Sequence, residues 1–535
     1  MAHRTRRMLT VGIIVLAALS ATPTSGTQSS PTTPTGLWEG QMLLSGNWRF
    51  MEAQFGNGNP AQVKIDLPQE RREFGEFELE GSRLRWSLTR GTARIRFDGR
   101  MDGSVIRGTA EQNGVKGEFQ LVRVNRSSST APPGLFATYR LADANLVTIV
   151  RFDFGDGIDR LALMDTRYGY WGTLLPSGED KYVLAPSRSG RFPVDVYIDF
   201  KRDASGKATE LTMTAGAQPL SAARIDTYDA RAIAFSNGTI TLAGDLLRPR
   251  SNGSHPAVVM VHSSGNQSRN GPVGYFRLIA NLLAANGFAV LVYDKRGVGK
   301  STGSWPNATF EDLAGDVRAA VATLRAEPDV DKERVGLWTL SQGGWIAPMV
   351  AVSDPRIAFL TLVSGAATSP AQQEMDRVAR IMRDNGSKRE DIESAQQYLH
   401  TFFDVVTGKQ SWGALQRLIP GVNSAAWASY VARPQSEREV GWAPAPADLD
   451  PQPLLRKIAI PVLTIHGADD ADVPADVNAS LYSAVSLHPQ SRQRIFDRAD
   501  HYMLISIGDP DRESRQLDTA YLRFTVDWMR EVSRK

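Results

Sequence analysis

Ser341, Asp470 and His501 follow one another in the order serine, acid, histidine, each past the end of an expected strand. That order of residue types fits a nucleophile, an orienting carboxylate and a general base. An imidazole titrating near neutrality can take the serine proton and return it to a leaving group. A buried carboxylate fixes the imidazole tautomer. Ser341 lies in "GLWTLSQGGW", residues 336–345, with Gly343 and Gly344 as the small residues on one side. On the other side Thr339 stands where the G-x-S-x-G pattern has glycine. Asp470 lies in "GADDADVPADVNA", with Asp469 as the rival acid and with Asp472, or the stretch from Pro474 to Asp476, equally able to cap the next helix.

The histidines narrow the choice of base. His3 belongs to the leader, His255 and His262 precede the serine, and His400 falls in a helical insertion. His466 lies within or at the end of a strand, and His488 precedes its strand. His501, in "RADHYML", alone follows the acid at the edge where the serine sits. An acyl-transfer site also needs donors for a developing oxyanion. The amide of Gln342, next to the serine, is one; the backbone of Ser264 in "HSSGNQSRNG", with Ser263 as alternative, is the expected second.

These residues need a rigid scaffold. From about residue 227, β-branched apolar runs ("PAVVMVHSSG", "FAVLVYDKRG", "RVGLWTLSQGG", "IAFLTLVSG", "IAIPVLTIHG") alternate with amphipathic stretches such as "FEDLAGDVRAAVATLRAE". Continuously apolar strands are covered on both faces, so the pattern reads as an α/β unit with a parallel sheet and crossover helices, residues 227–535. Ligands of such sheets bind beyond the carboxyl ends of the strands, where Ser341 falls. The alternation breaks over about 369–456, a helical stretch with Tyr398, Phe402, Phe403, Trp412, Trp427, Tyr430 and Trp442, read as a cap. Before 227, short alternating segments between Gly, Asn and Asp turns predict two β-rich units, 36–125 and 126–226. Their openings, "GLWEGQMLLSG" and "GLFATYRLADAN", are only weakly alike.

The chain begins with Arg4, Arg6 and Arg7, an apolar run from Met8 to Leu19 and the small residues Ala18 and Ser20. That run falls short of the roughly 20 residues a bilayer span needs, so residues 1–20 read as an export signal in preference to an uncleaved anchor, and 21–35 as a linker. A periplasmic or secreted protein without a stable membrane anchor is expected. With no cysteine, neither a disulfide nor a lipidated cysteine is available. The net charge of +3 (61 − 58) falls to about zero once the three leader arginines are removed, which argues against nucleic acid as a partner. "RGVGKSTG" resembles the end of a phosphate-binding loop, but Asp294 stands where the first glycine belongs. "DDADVPAD" lacks the glycine and distal glutamate of a calcium loop, so neither a cofactor nor a metal is expected.

"VVMVHSSG", "YDKRGVGKSTG", "LSQGGWIAP", "GADDADVP" and "ADHYML" occur in order over roughly residues 230–535, a stretch that resembles bacterial exported esterases of the α/β-hydrolase fold close to the prolyl oligopeptidase-like serine hydrolases. The resemblance implies an α/β-hydrolase fold with a helical cap, a triad of Ser341, Asp470 and His501, and no cofactor. Two positions depart from it: Ser263 for a usual glycine, and Thr339. The implied activity is cleavage of a small-molecule carboxylic ester through an acyl-enzyme. A peptidase of the same fold is the alternative, although its relatives carry a seven-bladed propeller needing about 300 residues where roughly 200 precede this unit. A binding protein with a vestigial triad is the third reading.

Overall fold

The computed structural model describes residues 33–534 except 45–46, 57–61, 67–72, 91–92, 113–114, 125–130, 133, 153–158, 186–195, 217, 441–445, 486 and 508–513. The predicted signal and most of the predicted linker 21–35 lie outside the described residues, as does Trp442.

The β-rich region forms two closed eight-stranded barrels with neighbouring strands antiparallel. The first runs from β1 (Gly36–Leu44) to β8 (Val115–Arg123), and pairing of Trp38 with Arg123 helps to close it. The second runs from β9 (Ala137–Leu141) to β16 (Pro219–Ile225), closed through Arg224 opposite Tyr139. Strand alternation dictates the interior: in Val196–Arg202 buried and exposed residues alternate. The first barrel is filled by Trp38, Phe55, Trp86, Phe97 and Phe119 with aliphatic neighbours, so it encloses a packed core. Both barrels close in a similar way. Arg123 sits 4.6 Å from the Trp38 ring centroid and donates to Thr33 O, and Arg224 donates to Gly134 O at 2.9 Å, so each last strand ties down the segment before its first.

The C-terminal region has the α/β-hydrolase fold. Its eight-stranded sheet has the order β17-β18-β20-β19-β21-β22-β23-β24. An antiparallel pair, β17 (Tyr228–Asn237) and β18 (Ile240–Pro249), leads into the parallel strands β19 (His255–Val261), β20 (Ala289–Tyr293), β21 (Val330–Leu340), β22 (Leu360–Val363), β23 (Val462–Gly467) and β24 (Arg492–Phe496). Residues of β20, β22 and β23 are buried throughout, as continuous apolar runs require. One face packs on α1 (Tyr275–Ala285) and α9 (Thr519–Val532), the other on α2 (Phe310–Ala326), α3 (Gly343–Ser353) and α8 (Ala475–Ser483).

The cap follows β22 with α4 (Pro370–Asp384), α5 (Arg389–Val406) and α6 (Trp412–Ser424). Tyr398, Phe402, Phe403 and Trp427 pack with Leu399, Leu415 and Ile419 in the cap's own core, and Trp412 and Tyr430 flank it. These six aromatics therefore hold the cap together.

Neither interface between the regions is a loose linker. Leu146, Val150, Phe152, Ala162, Met164 and Trp171 of the second barrel share one core with α1 and α9. Between the barrels, Val122 and Val124 meet Leu175, Val183 and Ala185, and the buried Arg160 and Glu39 lie 3.6 Å apart.

Candidate active site

The backbone at Ser341 carries the geometry of a strand-to-helix elbow. Ser341 has φ of 55°, a left-handed conformation that costs an L-residue roughly 1–2 kcal/mol. Its amide donates to Val363 O at 2.9 Å, and its carbonyl accepts from Gly344 at 2.8 Å, fixing the turn between β21 and α3. A Cβ on Gly344 would stand 2.8 Å from the Gly365 Cα, so α3 reaches this close to the loop after β22 only because 344 is glycine.

Asp470 and His501 come together beyond the ends of β23 and β24. His501 Nδ1 is 2.9 Å from Asp470 Oδ2, and both residues are buried. Asp470 Oδ1 accepts from the amides of Asp472 and Val473, each at 2.8 Å, so the turn before α8 aims the carboxylate. Asp469, the rival acid, is exposed and has no hydrogen bond to His501 among the described residues. Burial disfavours the charged imidazolium, but the charge of Asp470 and its hydrogen bond, with Asp472 and Asp500 nearby, outweigh it and lift the His501 pKa. Burial raises Asp470 in turn. With Nδ1–H given to Asp470, Nε2 is left as the proton acceptor. Among the described residues Ser341 Oγ has no hydrogen-bond partner, a common state of an unliganded catalytic serine.

Two other buried histidines, His262 and His466, are held neutral. His262 Nε2 is 2.6 Å from Tyr293 O, and burial pushes its pKa down to about 3. Burial pushes His466 down to about 4, and neither of its ring nitrogens has a partner among the described residues.

The two expected oxyanion donors, the amides of Gln342 and Ser264, have no acceptor among the described residues. Ser264 is exposed, whereas Ser263 is buried. Beneath them lies a residue whose role the sequence did not reveal. The buried Lys295 sends its Nζ to Ser263 O (3.0 Å), Gly265 O (3.3 Å) and Gln342 Oε1 (2.9 Å). Burial pushes its pKa down to about 8, so it is mostly protonated at neutral pH. Ser364, with φ of 48°, is a second such residue: its hydroxyl donates to His501 O at 2.9 Å. Lys295 belongs to a motif visible in the sequence, "YDKRG"; nothing local marks Ser364.

The segment resembling a phosphate loop folds around its own carboxylate. Asp294 accepts from the Lys300 amide and from Arg269, and a Cβ on Gly299 would come within 2.5 Å of Asp294 Oδ2. The anion that a phosphate loop would cradle is replaced by Asp294 itself. Asp470, Asp472 and His501 offer ligand atoms within 4.8 Å of one another, but the buried pair is already engaged through Nδ1 and Oδ2. A cavity of about 400 Å³ between α4, α5 and α8, lined by Ser369, Gln372, Phe403, Asp404 and Leu481, does not include Ser341 or His501.

The fold and the placement of these residues at one sheet edge define a hydrolase-fold unit, and residues 256–506 match the family model described as alpha/beta hydrolase fold. The chain is 28% identical over 252 residues, 46% of its length and 80% of the relative's, to a 2-hydroxy-6-oxononadienedioate/2-hydroxy-6-oxononatrienedioate hydrolase of Cupriavidus pinatubonensis. It is 25% identical over 275 residues, 50% of its length and 59% of the relative's, to the esterase EstD of Thermotoga maritima. Among solved structures, a Pyrococcus furiosus esterase aligns over 57% of this chain and 89% of its own at 17% identity and a TM-score of 0.37. The unit therefore has hydrolase and esterase homologues.

Proposed function

We propose that this protein is an exported serine hydrolase that cleaves small-molecule carboxylic esters through an acyl-enzyme. The observation that carries the proposal is the left-handed Ser341 at the elbow, at the same edge of the sheet as a buried Asp470–His501 pair. Ser341 Oγ attacks the ester carbonyl while His501 Nε2 takes its proton; the carbonyl oxygen becomes an oxyanion held by the amides of Gln342 and Ser264. Collapse of the tetrahedral adduct expels the alcohol, which takes the proton from His501. Water, deprotonated by the same imidazole, then releases the acid and restores Ser341. The basic, apolar start of the chain supports export to the periplasm or beyond. Among the described residues no helix is long and apolar enough to cross a membrane.

A fluorophosphonate probe with mapping of the labelled residue, run beside turnover of a short-chain aryl ester, tests the reading. Labelling at Ser341 with turnover reduced by as much as ~10⁶-fold in Ser341→Ala is the expected result. Absence of labelling, or turnover that survives the substitution, refutes it. Hydrolysis of aminoacyl-arylamides without ester turnover would favour a peptidase.

A further inference from the structure

Lys295 is a buried cation with no carboxylate among its hydrogen-bond partners; it spends its donors on two carbonyls and one side-chain amide. Burying an ammonium is costly unless its donors are satisfied, and here all three acceptors belong to the two segments that carry the expected oxyanion donors. Ser263 O and Gly265 O come from the loop after β19, and Gln342 Oε1 from the residue following the nucleophile.

The trans peptide supplies the directional argument. C=O and N–H of one peptide unit point in opposite directions. The unit whose carbonyl is Ser263 O therefore turns the Ser264 N–H away from the ammonium that binds it. Gln267 draws Ser264 O aside at 2.9 Å, and Gln267 O accepts from the Lys295 amide at 3.0 Å, so one residue grips the loop through both backbone and side chain. The neighbours of Lys295 are themselves pinned: Asp294 pairs with Arg269, and Arg296 pairs with Asp316.

We propose that Lys295 is the positioning residue of the oxyanion hole, holding the Ser264 and Gln342 donors in register from behind. It replaces, by an internal clamp, the glycine-based loop geometry that Ser263 departs from. The inference rests on the serine-hydrolase reading of the site. Lys295 touches neither substrate nor the reacting atoms; it acts through the Ser263–Ser264 peptide and the Gln342 side chain.

The test is the split between kcat and KM for a short-chain aryl ester, together with affinity for an aryl boronic acid, which forms a tetrahedral adduct with the serine. Lys295→Met should lower kcat on the order of 10- to 100-fold, a fraction of what loss of a whole donor costs. KM should stay within about twofold, and boronate affinity should fall in step with kcat/KM. Gln342→Ala, which keeps the amide and removes one acceptor, should give a smaller loss that adds little to Lys295→Met in the double variant. If methionine there prevents folding, Lys295→Arg, which keeps the charge but changes the reach, is read by the same split and should again lower kcat. A folded variant with unchanged kcat, or one whose defect is confined to KM or to the melting temperature, overturns the inference alone. A wild-type enzyme that neither labels at Ser341 nor turns over ester overturns the reading of the site as well.

Discussion

The Cβ of Thr339 stands 2.8 Å from where a Cβ on Gly343 would lie, so the glycine two residues after Ser341 makes room for the threonine two residues before it. The usual pattern relieves this crowding with small residues on both sides of the serine; here one side does it. Gly343→Ala should therefore cost about 1–3 kcal/mol by overpacking and lower turnover at least tenfold by displacing the elbow. Thr339→Gly in the same chain should recover much of that loss, because what remains is two 3.3 Å contacts with the Val261 and His262 carbonyls. Turnover and urea midpoints of the four-member cycle check this; additive losses would show that the two side chains do not compete for one space.

The left-handed Ser341 makes a second prediction, in which activity and stability part company. Alanine at 341 keeps the strain of a Cβ at positive φ, while glycine relieves it at the expense of chain entropy. Both variants should be inactive, with Ser341→Gly more stable than Ser341→Ala by about 0.5–1 kcal/mol. Equal midpoints in urea would mean that the elbow stores no strain at this residue.

The legibility of this molecule follows the range of the interactions involved. The parallel sheet could be read because β20, β22 and β23 are short runs whose every residue is buried, a property carried by the residues themselves. Ser341 directly follows the buried end of β21 and Asp470 lies in the turn after the buried β23, so both places were legible; His501 lies beyond β24, a strand that is largely exposed, and is singled out by its order in the chain. The barrels could be read only as β-rich, since closure depends on partners far apart in the chain: Trp38 meets Arg123, and Leu141 meets Ala222. How the cap aromatics face could not be read, because a side chain's type does not tell which way it points; Phe402 and Trp427 are buried together in the cap's own core. Ser364 and Lys295 went unassigned because Ser364 and two of the three Lys295 bonds find backbone carbonyls, to which any sequence contributes equally, and the third Lys295 partner, Gln342, lies 47 residues away in the chain.

The Asp470–His501 pair sets the pH dependence. His501 must be neutral to accept a proton; burial lowers its pKa, but Asp470, with Asp472 and Asp500 nearby, lifts it further than burial lowers it. The rate kcat/KM should thus climb with pH through a value above the ordinary imidazole range near 6.5. Asp470→Asn removes the charge, so the climb should shift to lower pH, with a plateau reduced by about 10⁴-fold through loss of the productive tautomer. An ascending limb that does not move in the variant would show that another group controls it.

Acid sensitivity of the fold should come from the histidines that are not catalytic. His466 and His262 have folded pKa values pushed down to about 4 and about 3, against about 6.5 in an unfolded chain. The unfolded state therefore binds protons that the folded state refuses, and stability falls as pH drops below 6.5 toward those values. The slope is about 1.4 kcal/mol per pH unit for each histidine. His501 has the opposite sign: its raised pKa contributes stability that is complete below 6.5 and is lost only as pH rises through its folded value. His466→Leu should reduce the slope between pH 6 and 5 by about one proton, measured from urea midpoints across pH. An unchanged slope would mean that His466 is protonated inside the fold.

The second barrel should prove part of the hydrolase and not an appendage to it. Trp171 lies 5.0 Å from the Tyr275 ring and 6.0 Å from that of Tyr502, the residue after His501, and its indole N–H donates to Val273 O at 3.1 Å. Val273 has φ of 48°, and a Cβ on its neighbour Gly274 would stand 2.9 Å from Val150 of the barrel, so that contact requires glycine. A chain beginning at residue 227 would expose the faces of α1 and α9 that Leu146, Phe152, Met164 and Trp171 now cover, and should aggregate or melt far below the full-length protein. Removing the first barrel alone leaves that shared core intact and uncovers the smaller patch of Leu175, Val183 and Ala185 together with Arg160, which loses Glu39, so most of the turnover should survive. Trp171→Ala in the full chain should cost about 3–5 kcal/mol and lower kcat by loosening the turn that holds His501. Thermal melts and ester turnover of the three variants decide the matter: a 227–535 fragment with full-length stability and rate would show that the barrels merely ride on the enzyme.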